Sequence, residues 1–251
     1  MSVSSEALQR RPPLAARGAE SRRRERLFFS GMSIALAIMV FAGFAPTFYL
    51  HGPLHSTFVL SSALKWHGAA FTTWMLLLVA QTSLVAANRT DLHRRLGVAG
   101  AVLAVIMIVL GAYVAVSRTA AGLTTTPPGM SPYALLAVPL MTIVVFPVLV
   151  GAALWYRKRT DFHKRLMIIA TLELVTAAVA RLPGMQAAGP PAFFGGVDLF
   201  LVAIVIYDLA TLKRVHPATL WGGLVLVLSQ PLRLVIGLSA PWFAFAAWLT
   251  T

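Results

Sequence analysis

The sequence predicts an all-α fold, a polytopic membrane helix bundle with seven transmembrane helices. The chain of 251 residues is 58% hydrophobic and has a mean hydropathy of +0.79. Only 12% of its residues are charged, about half the fraction of a typical soluble domain. It also contains seven apolar segments near the length of about 20 residues that a helix needs to cross a bilayer. A lipid bilayer is therefore the expected environment of the chain.

The seven apolar segments follow one another with short breaks. They cover residues 27–50, 58–86, 96–117, 133–156, 165–183, 194–212 and 218–238. Turn-forming sequences such as Gly52-Pro53 and Pro183-Gly184 separate them. Residues 1–26 are predicted to be a disordered basic N-terminus in the cytoplasm, and residues 27–238 the transmembrane domain. The tail, 239–251, is too short to cross a bilayer, and its two Trp residues predict an interfacial position.

The basic residues predict the orientation of the bundle. With the N-terminus in the cytoplasm, seven Arg before residue 27 and ten Lys or Arg in later segments fall on the cytoplasmic side. The other side keeps Lys65, Arg118, Arg181 and Arg233. This asymmetry follows the positive-inside rule, so the net charge of +13 needs no nucleic-acid partner. The expected partner is the lipid bilayer; membrane-protein partners and a homo-oligomer stay open. The chain has no cysteine, which excludes disulfides and thiolate metal sites.

An internal repeat predicts how the helices are arranged. Residues 89–96 (RTDLHRRL) match residues 159–166 (RTDFHKRL) at six of eight positions, and 213–217 is a weaker third copy. Each copy precedes a helix that would run outward from the cytoplasmic side. The predicted architecture is one helix followed by three tandem hairpins of the same orientation.

The second span and the loop after it resemble a family of uncharacterised bacterial multi-pass membrane proteins. That family has a His, a Trp and a Gln along one helix and a loop ending in His-Arg-x-x-Gly, as found here in His67, Trp74, Gln81 and the segment 92–97. The resemblance covers about thirty residues, implies the bacterial inner membrane, and brings no activity. A more distant likeness to small haem-binding membrane cytochromes implies haem. However, this chain lacks their facing His pairs at fixed spacing on the helices.

Three histidines are the candidate metal or haem ligands at the cytoplasmic side. His93, His163 and His216 each lie at the start of an outward-running helix, and Asp91 and Asp161 accompany the first two. If the helix starts converge, three imidazoles and a carboxylate suit a transition metal. The alternative is that the Asp residues complement helix dipoles and the His residues are interface anchors.

His67, Trp74 and Gln81 form a polar stripe on the second span. A spacing of seven keeps them on one helix face. Polar groups in hydrocarbon face protein or a water-filled cavity, so the stripe indicates either a ligand or proton path, with His67 as ligand, or hydrogen bonds between helices.

Glu173 is predicted to lie near the middle of the bilayer. It is eight residues from Arg165 and eight from Arg181, or about 12 Å from each end at 1.5 Å per residue. Arg181 and Arg233 are expected near the outer surface, where they would bind an anionic head group or a haem propionate, or pair with Asp198. The predicted partners of Glu173 are therefore neutral, and they are Gln81, Gln230, Thr72, Thr73 or a tyrosine.

Three classes of function remain after the motif search. Hydrolase motifs such as Gly-x-Ser-x-Gly and His-Glu-x-x-His, and phosphate-cradling glycine loops, are absent from the sequence, and whether the protein is an enzyme with a redox role stays open. The classes are a His-based haem or metal protein of electron transfer or cofactor assembly, a small proton-coupled transporter using Glu173, and a non-catalytic assembly subunit. The recurrence of His at matched positions favours the first.

Overall fold

The computed structural model describes residues 14–251, with side chains from residue 18 onward, and within that range all regular structure is helical. The helices are α1 (Leu14–Phe44), continued by a π-helical turn (Ala45–Tyr49), α2 (Ser62–Ala86), α3 (Thr90–Ala120), α4 (Pro132–Trp155), α5 (Thr160–Val179), α6 (Met185–Ala188), α7 (Pro190–Leu212), α8 (Pro217–Gly237) and α9 (Ala240–Thr250). Six of the described helices are long and apolar enough to cross a membrane: α1 with its π-helical turn, α2, α3, α4, α7 and α8. The chain is thus a multi-pass helical membrane protein.

Helix α5 differs from these six because it is charged and enclosed. It carries Asp161, Lys164, Arg165 and Glu173, so its composition alone does not mark it as a membrane span. Thirteen of its twenty residues are buried, and it packs against α1, α4, α7 and α8. Its charges therefore meet other helices, and the rest of the bundle covers it.

The loops gather at two ends of the bundle. At one end Arg26, near the start of the apolar part of α1, donates a hydrogen bond of 2.7 Å to Oδ1 of Asn88 in the loop after α2. At the other end Gln186 of α6 lies 3.4 Å from the carbonyl oxygen of Thr125 in the loop after α3. We call the first the basic end, because the Arg-rich loops before α3 and α5 lie there, and the second the opposite end.

Two close helix crossings rely on glycine. A Cβ atom on Gly43 would lie 2.3 Å from the carbonyl oxygen of Ala178, where α1 crosses α5. A Cβ atom on Gly237 would lie 2.5 Å from the carbonyl oxygen of Ala134, where α8 crosses α4. Small residues at these positions let the backbones approach, which is how membrane helices gain packing contacts without a hydrophobic driving force.

The terminal segments correct and refine the sequence prediction. Helix α1 begins at Leu14, so residues 14–26 are helical and not disordered as the sequence predicted. They extend the first span at its N-terminal end, and residues 1–13 lie outside the described residues. The predicted tail is the helix α9, whose Trp242 indole donates a 2.8 Å hydrogen bond to the carbonyl oxygen of Tyr133.

The octapeptide copies form the same local structure twice. Arg89 and Arg159 are the N-caps of α3 and α5, and Asp91 and Asp161 lie in the first turns. The third copy differs, because Lys213 adopts a left-handed conformation with φ of 60° and His216 itself caps α8. The matching segments 89–96 and 159–166 thus begin their helices in the same way. Residues 213–217 also precede a helix, but they begin it with a different local structure.

Candidate functional site

A fully bonded carboxylate joins three helices near the basic end. Asp208 of α7 is inaccessible to solvent, and its Oδ1 accepts hydrogen bonds from Nε (3.0 Å) and Nη2 (2.5 Å) of Arg165 on α5. Its Oδ2 accepts from the backbone N–H of His216 (3.1 Å) and from the Thr219 hydroxyl (2.5 Å). Nη1 of Arg165 donates to the carbonyl oxygen of Asp161 at 3.0 Å. We call these five residues the Asp208 network; each polar group of its central pair has a partner.

His216 is committed to this network through both ring nitrogens. Its Nδ1 accepts a hydrogen bond from the backbone N–H of Ala218 at 3.1 Å, which assigns the ring proton to Nε2. Nε2 lies 3.1 Å from Oδ2 of Asp161 and donates to it. Neither nitrogen is left for a metal. The structure thus places His216 and Asp161 in contacts at the start of α8, and the metal site with these two ligands stays a prediction of the sequence.

The rings of His93 and His163 lie close to each other at the basic end. Their ring centroids are 6.2 Å apart with the rings nearly perpendicular. Nδ1 of His163 lies 2.8 Å from the carbonyl oxygen of Ala153, which leaves Nε2 for another partner, and Nδ1 of His93 has no partner among the described protein atoms. Asp91 is exposed and pairs with Arg89 at 3.4 Å. Among the described residues no group of three or more His, Asp or Glu is placed to hold a metal ion.

The carboxylate of Glu173 meets an arginine deep in the bundle. Oε1 lies 2.9 Å from Nη1 of Arg233 on α8 and accepts a 2.8 Å hydrogen bond from the Thr142 hydroxyl on α4. The side chains of Glu173 and Arg233 are 1% and 0% exposed. Arg233 also donates from Nε and Nη2 to the carbonyl and hydroxyl oxygens of Ser229. We call Glu173 and Arg233 the Glu173 pair.

The partner of Glu173 corrects the sequence prediction. Arg233 was expected near the outer surface and the partner of Glu173 was expected to be neutral, but the structure pairs the two charges. Gln230, one of the predicted neutral partners, instead donates from Nε2 to Oδ1 of Asp198 at 2.8 Å. Arg233 therefore does not pair with Asp198, which was one of the partners expected for it from the sequence.

The Glu173 pair is less completely bonded than the Asp208 network. Oε2 of Glu173 has no hydrogen-bond partner among the described protein atoms. Nη1 of Arg233 is close to Oε1 but is not directed at it well enough to form a hydrogen bond. Buried polar atoms are normally satisfied, so two such atoms at one buried ion pair mark it as a candidate functional site.

The three residues of the polar stripe on α2 have different surroundings. The Trp74 indole donates a 3.2 Å hydrogen bond to the Thr171 hydroxyl on α5. Gln81 packs beside Gly97 on α3, and its Oε1 is buried without a described partner. His67 stacks on Phe71 with ring centroids 4.2 Å apart and lines a cavity. The Trp74 contact fits the prediction of hydrogen bonds between helices, whereas His67 faces an open space.

The cavity beside His67 lies toward the opposite end, between α1, α2 and α5, and measures about 80 Å³. Arg181, which follows α5, also lines it, with its guanidinium 4.4 Å from the centre of the Phe44 ring. Arg181 is also exposed to solvent, so its guanidinium stays hydrated and cationic at neutral pH.

Sequence reasoning missed several residues that build these sites. They are Arg165, Asp208, Thr219, Thr142 and Ser229. A usable signal existed in the helix positions. Arg165 lies five residues after the start of α5 and Asp208 four before the end of α7, so the two belong to the same level of the bundle.

Comparison of the chain with models of protein families, with curated proteins and with solved structures found no match.

Proposed function

We propose that this protein is a small membrane carrier in which proton binding at Glu173 is coupled to anion binding at Arg233. The observation that carries this proposal is the incomplete bonding of the Glu173 pair inside the bundle. A buried ion pair gives little net stability, and ionisable groups within membranes are usually tied to transport or proton movement.

The contrast with the Asp208 network supports this assignment. Asp208 receives four hydrogen bonds and has no free lone-pair direction for a proton without loss of a partner. Glu173 keeps Oε2 free of described protein partners, so a proton can bind there while Oε1 still accepts from Thr142. The pair of Arg165 and Asp208 therefore holds helices together, whereas Glu173, in the other pair, is suited to exchange of a proton.

The coupling follows from charge balance. When a proton binds Oε2, the carboxylate becomes neutral and Arg233 loses its counter-charge in a medium that penalises an unpaired cation. An anion that binds the guanidinium restores neutrality. One proton and one monovalent anion thus bind together and leave together, and each full cycle moves no net charge.

The membrane topology of the proposed carrier has seven spans, with α5 as the enclosed one. Its twenty residues extend about 30 Å, the thickness of the hydrocarbon core. The start of α5 contacts the end of α4 through His163 and Ala153, whereas α6, which follows α5, contacts the loop after α3 at the opposite end. We place the basic end in the cytoplasm because of the distribution of Lys and Arg. The layout of one helix plus three hairpins is supported by the repeated octapeptide, and the bacterial inner membrane by the resemblance of the second span and its loop.

The first test is independent of the substrate. Purified protein in lipid is titrated from acidic to alkaline pH, and infrared difference spectra record the C=O stretch of protonated carboxyl groups. We expect a band that is lost in Glu173→Gln, displaced in Glu173→Asp and unchanged in Asp198→Asn, the same chemical change at a hydrogen-bonded carboxylate. Absence of any Glu173-dependent band in folded protein refutes proton exchange at this residue.

The second test measures coupling. Proteoliposomes that contain a pH-sensitive dye receive lactate, phosphate or chloride in an inward gradient. We expect at least one anion to acidify the interior, without dependence on membrane potential, and Glu173→Gln to abolish this effect. Anion uptake that continues in Glu173→Gln, or proton entry without an anion, contradicts the coupled carrier.

The contact between His93 and His163 favours a second candidate function, ligation of haem or a metal ion. These two imidazoles would hold the group, and haem would supply one-electron transfer. The hydrogen bond from His163 to Ala153 orients the ring as backbone carbonyls do for metal-bound His. An optical spectrum and metal analysis of the purified protein test this candidate: a bound group retained in His51→Ala and lost in His93→Ala supports it, and a colourless, metal-free protein after expression with added haem and metals refutes it.

A further inference from the structure

The cavity between α1, α2 and α5 has a lining that suits a small amphipathic ligand. Eleven of its fifteen lining residues are apolar. Aromatic rings form much of the wall, from the end of α1, the π-helical turn, the loop before α2 and α2 itself: Phe44, Phe48, Phe58 and Phe71. A single water needs about 10–15 Å³ of such space and a cavity that binds benzene measures about 150 Å³, so a cavity of about 80 Å³ accommodates a short aliphatic group.

The polar groups of the cavity are donors or potential donors. Arg181 brings a guanidinium, and Nη1 of that group uses only one bond, to the carbonyl oxygen of Ala177 at 2.6 Å. Nδ1 of His67 and Oγ1 of Thr47 are buried and have no described protein partner. Tyr49 is already engaged, because its hydroxyl is 2.7 Å from that of Thr72. None of the fifteen lining residues is acidic.

We propose that this cavity binds a small monocarboxylate with a short aliphatic body. The carboxylate would be held by Arg181, with His67 and Thr47 as further hydrogen-bond donors, and the body would lie against the phenylalanine rings. Two kinds of observation support this ligand class. The cationic group and the unpartnered donors call for an oxygen anion, whereas the apolar wall disfavours a strongly hydrated anion such as phosphate.

The loop between α1 and α2 covers this site and is itself held in place. Nε2 of His51 lies 2.8 Å from the carbonyl oxygen of Phe58, and the Arg118 guanidinium stacks 4.6 Å from the centre of the Phe58 ring. Phe58 is one of the lining residues. Phe58 is thus fixed in position by two contacts and forms part of the cavity wall on this side.

This cavity is a binding site separate from the anion site proposed at Arg233, and it does not depend on the carrier function. Glu173 and Arg233 are not among the residues that line the cavity, although Ala177, which does line it, lies one helical turn from Glu173. Binding at the cavity is therefore measured without any proton movement.

The experiment is calorimetric titration of the detergent-purified full chain with propionate, 1-propanol and phosphate, each corrected for titration into empty micelles. We expect saturable binding of propionate, at least ten-fold weaker binding of 1-propanol, and weak or absent binding of phosphate. Arg181→Gln should weaken propionate binding at least about ten-fold, as expected for loss of a charge-assisted hydrogen bond. Lys65→Gln, which removes an exposed cation two residues from His67, should leave binding unchanged.

Each other outcome overturns the proposal. Equal binding of propionate and 1-propanol means that the cavity recognises the alkyl chain and not the carboxylate, and binding of phosphate alone means an inorganic-anion site. Unchanged propionate binding in both Arg181→Gln and His67→Gln places the ligand elsewhere. His67→Gln also serves if Arg181→Gln fails to fold. If propionate binds as expected but Glu173 shows no proton exchange, the carrier proposal fails and the binding site stands.

Discussion

Replacement of Asp208 by Asn is expected to destabilise the protein by about 3 kcal/mol or more, the cost of leaving a buried charge without its counter-charge. The structure sets this magnitude. Arg165 is 2% exposed, and Asp208 supplies the acceptor for its Nε and Nη2. An Asn side chain keeps one oxygen for Arg165 but turns an N–H donor toward the backbone N–H of His216, which cannot accept.

Thermal unfolding in detergent measures this effect. For a chain of this size about 3 kcal/mol corresponds to a lowering of Tm by about 6–12 °C. Asp198→Asn is the matched control, because it makes the same change at a half-buried carboxylate with one side-chain hydrogen bond, and it should cost about 1 kcal/mol or less.

A double variant checks the cause. Arg165→Met with Asp208→Asn removes both charges, so it should recover more than half of the loss in Tm caused by Asp208→Asn alone. If Asp208→Asn unfolds within 2 °C of the original protein, or if the double variant is less stable than Asp208→Asn, the network is not a stabilising element and the reasoning is refuted.

Three further predictions concern topology, packing and the α2 stripe. A single Cys at Thr90 should be labelled by an impermeant thiol reagent only from the cytoplasm and one at Thr125 only from outside, whereas the reverse pattern inverts the orientation. Gly43→Ala should lower stability by about 1–3 kcal/mol in the same unfolding assay, because its Cβ meets the Ala178 carbonyl, and an unchanged Tm would show that the α1–α5 crossing can relax. Trp74→Phe should cost about 1 kcal/mol through loss of its hydrogen bond to α5, and a cost near zero would show that this bond adds nothing.

The helices were predictable because each apolar run is long and its breaks contain Pro, Gly or charged residues. The helix boundaries in the structure differ from the predicted ones where polar residues form part of a helix. α3 and α5 begin at Thr90 and Thr160, several residues before the apolar runs, since the RTD sequences start helices. A hydropathy profile does not detect these helix starts, because the start of a helix is determined by capping and by the charge of the first turn and not by apolar content.

The pairing of Glu173 with Arg233 was missed because depth was judged from nearby charges and not from helix starts. Glu173 lies thirteen residues after the start of α5, and Arg233 sixteen after the start of α8. At 1.5 Å per residue the two Cα atoms differ in depth by only about 4–5 Å, which an Arg side chain spans. Which helices become neighbours is a tertiary property, and the sequence pattern does not contain it.

The enclosed helix α5 constrains how the chain enters the membrane. A charged residue at the centre of a helix raises the cost of insertion by about 2.5–3.5 kcal/mol, and α5 carries Arg165 and Glu173 within its buried stretch. Their partners are made later: Asp208 follows Arg165 by forty-three residues, and Arg233 lies on the helix after that. While the ribosome is still synthesising α7 and α8, α5 has neither counter-charge and is held only by contacts with α1 and α4. We therefore expect α5 to settle across the bilayer only when the α7–α8 hairpin arrives, so chains truncated after α6 should be recognised by membrane quality control and degraded.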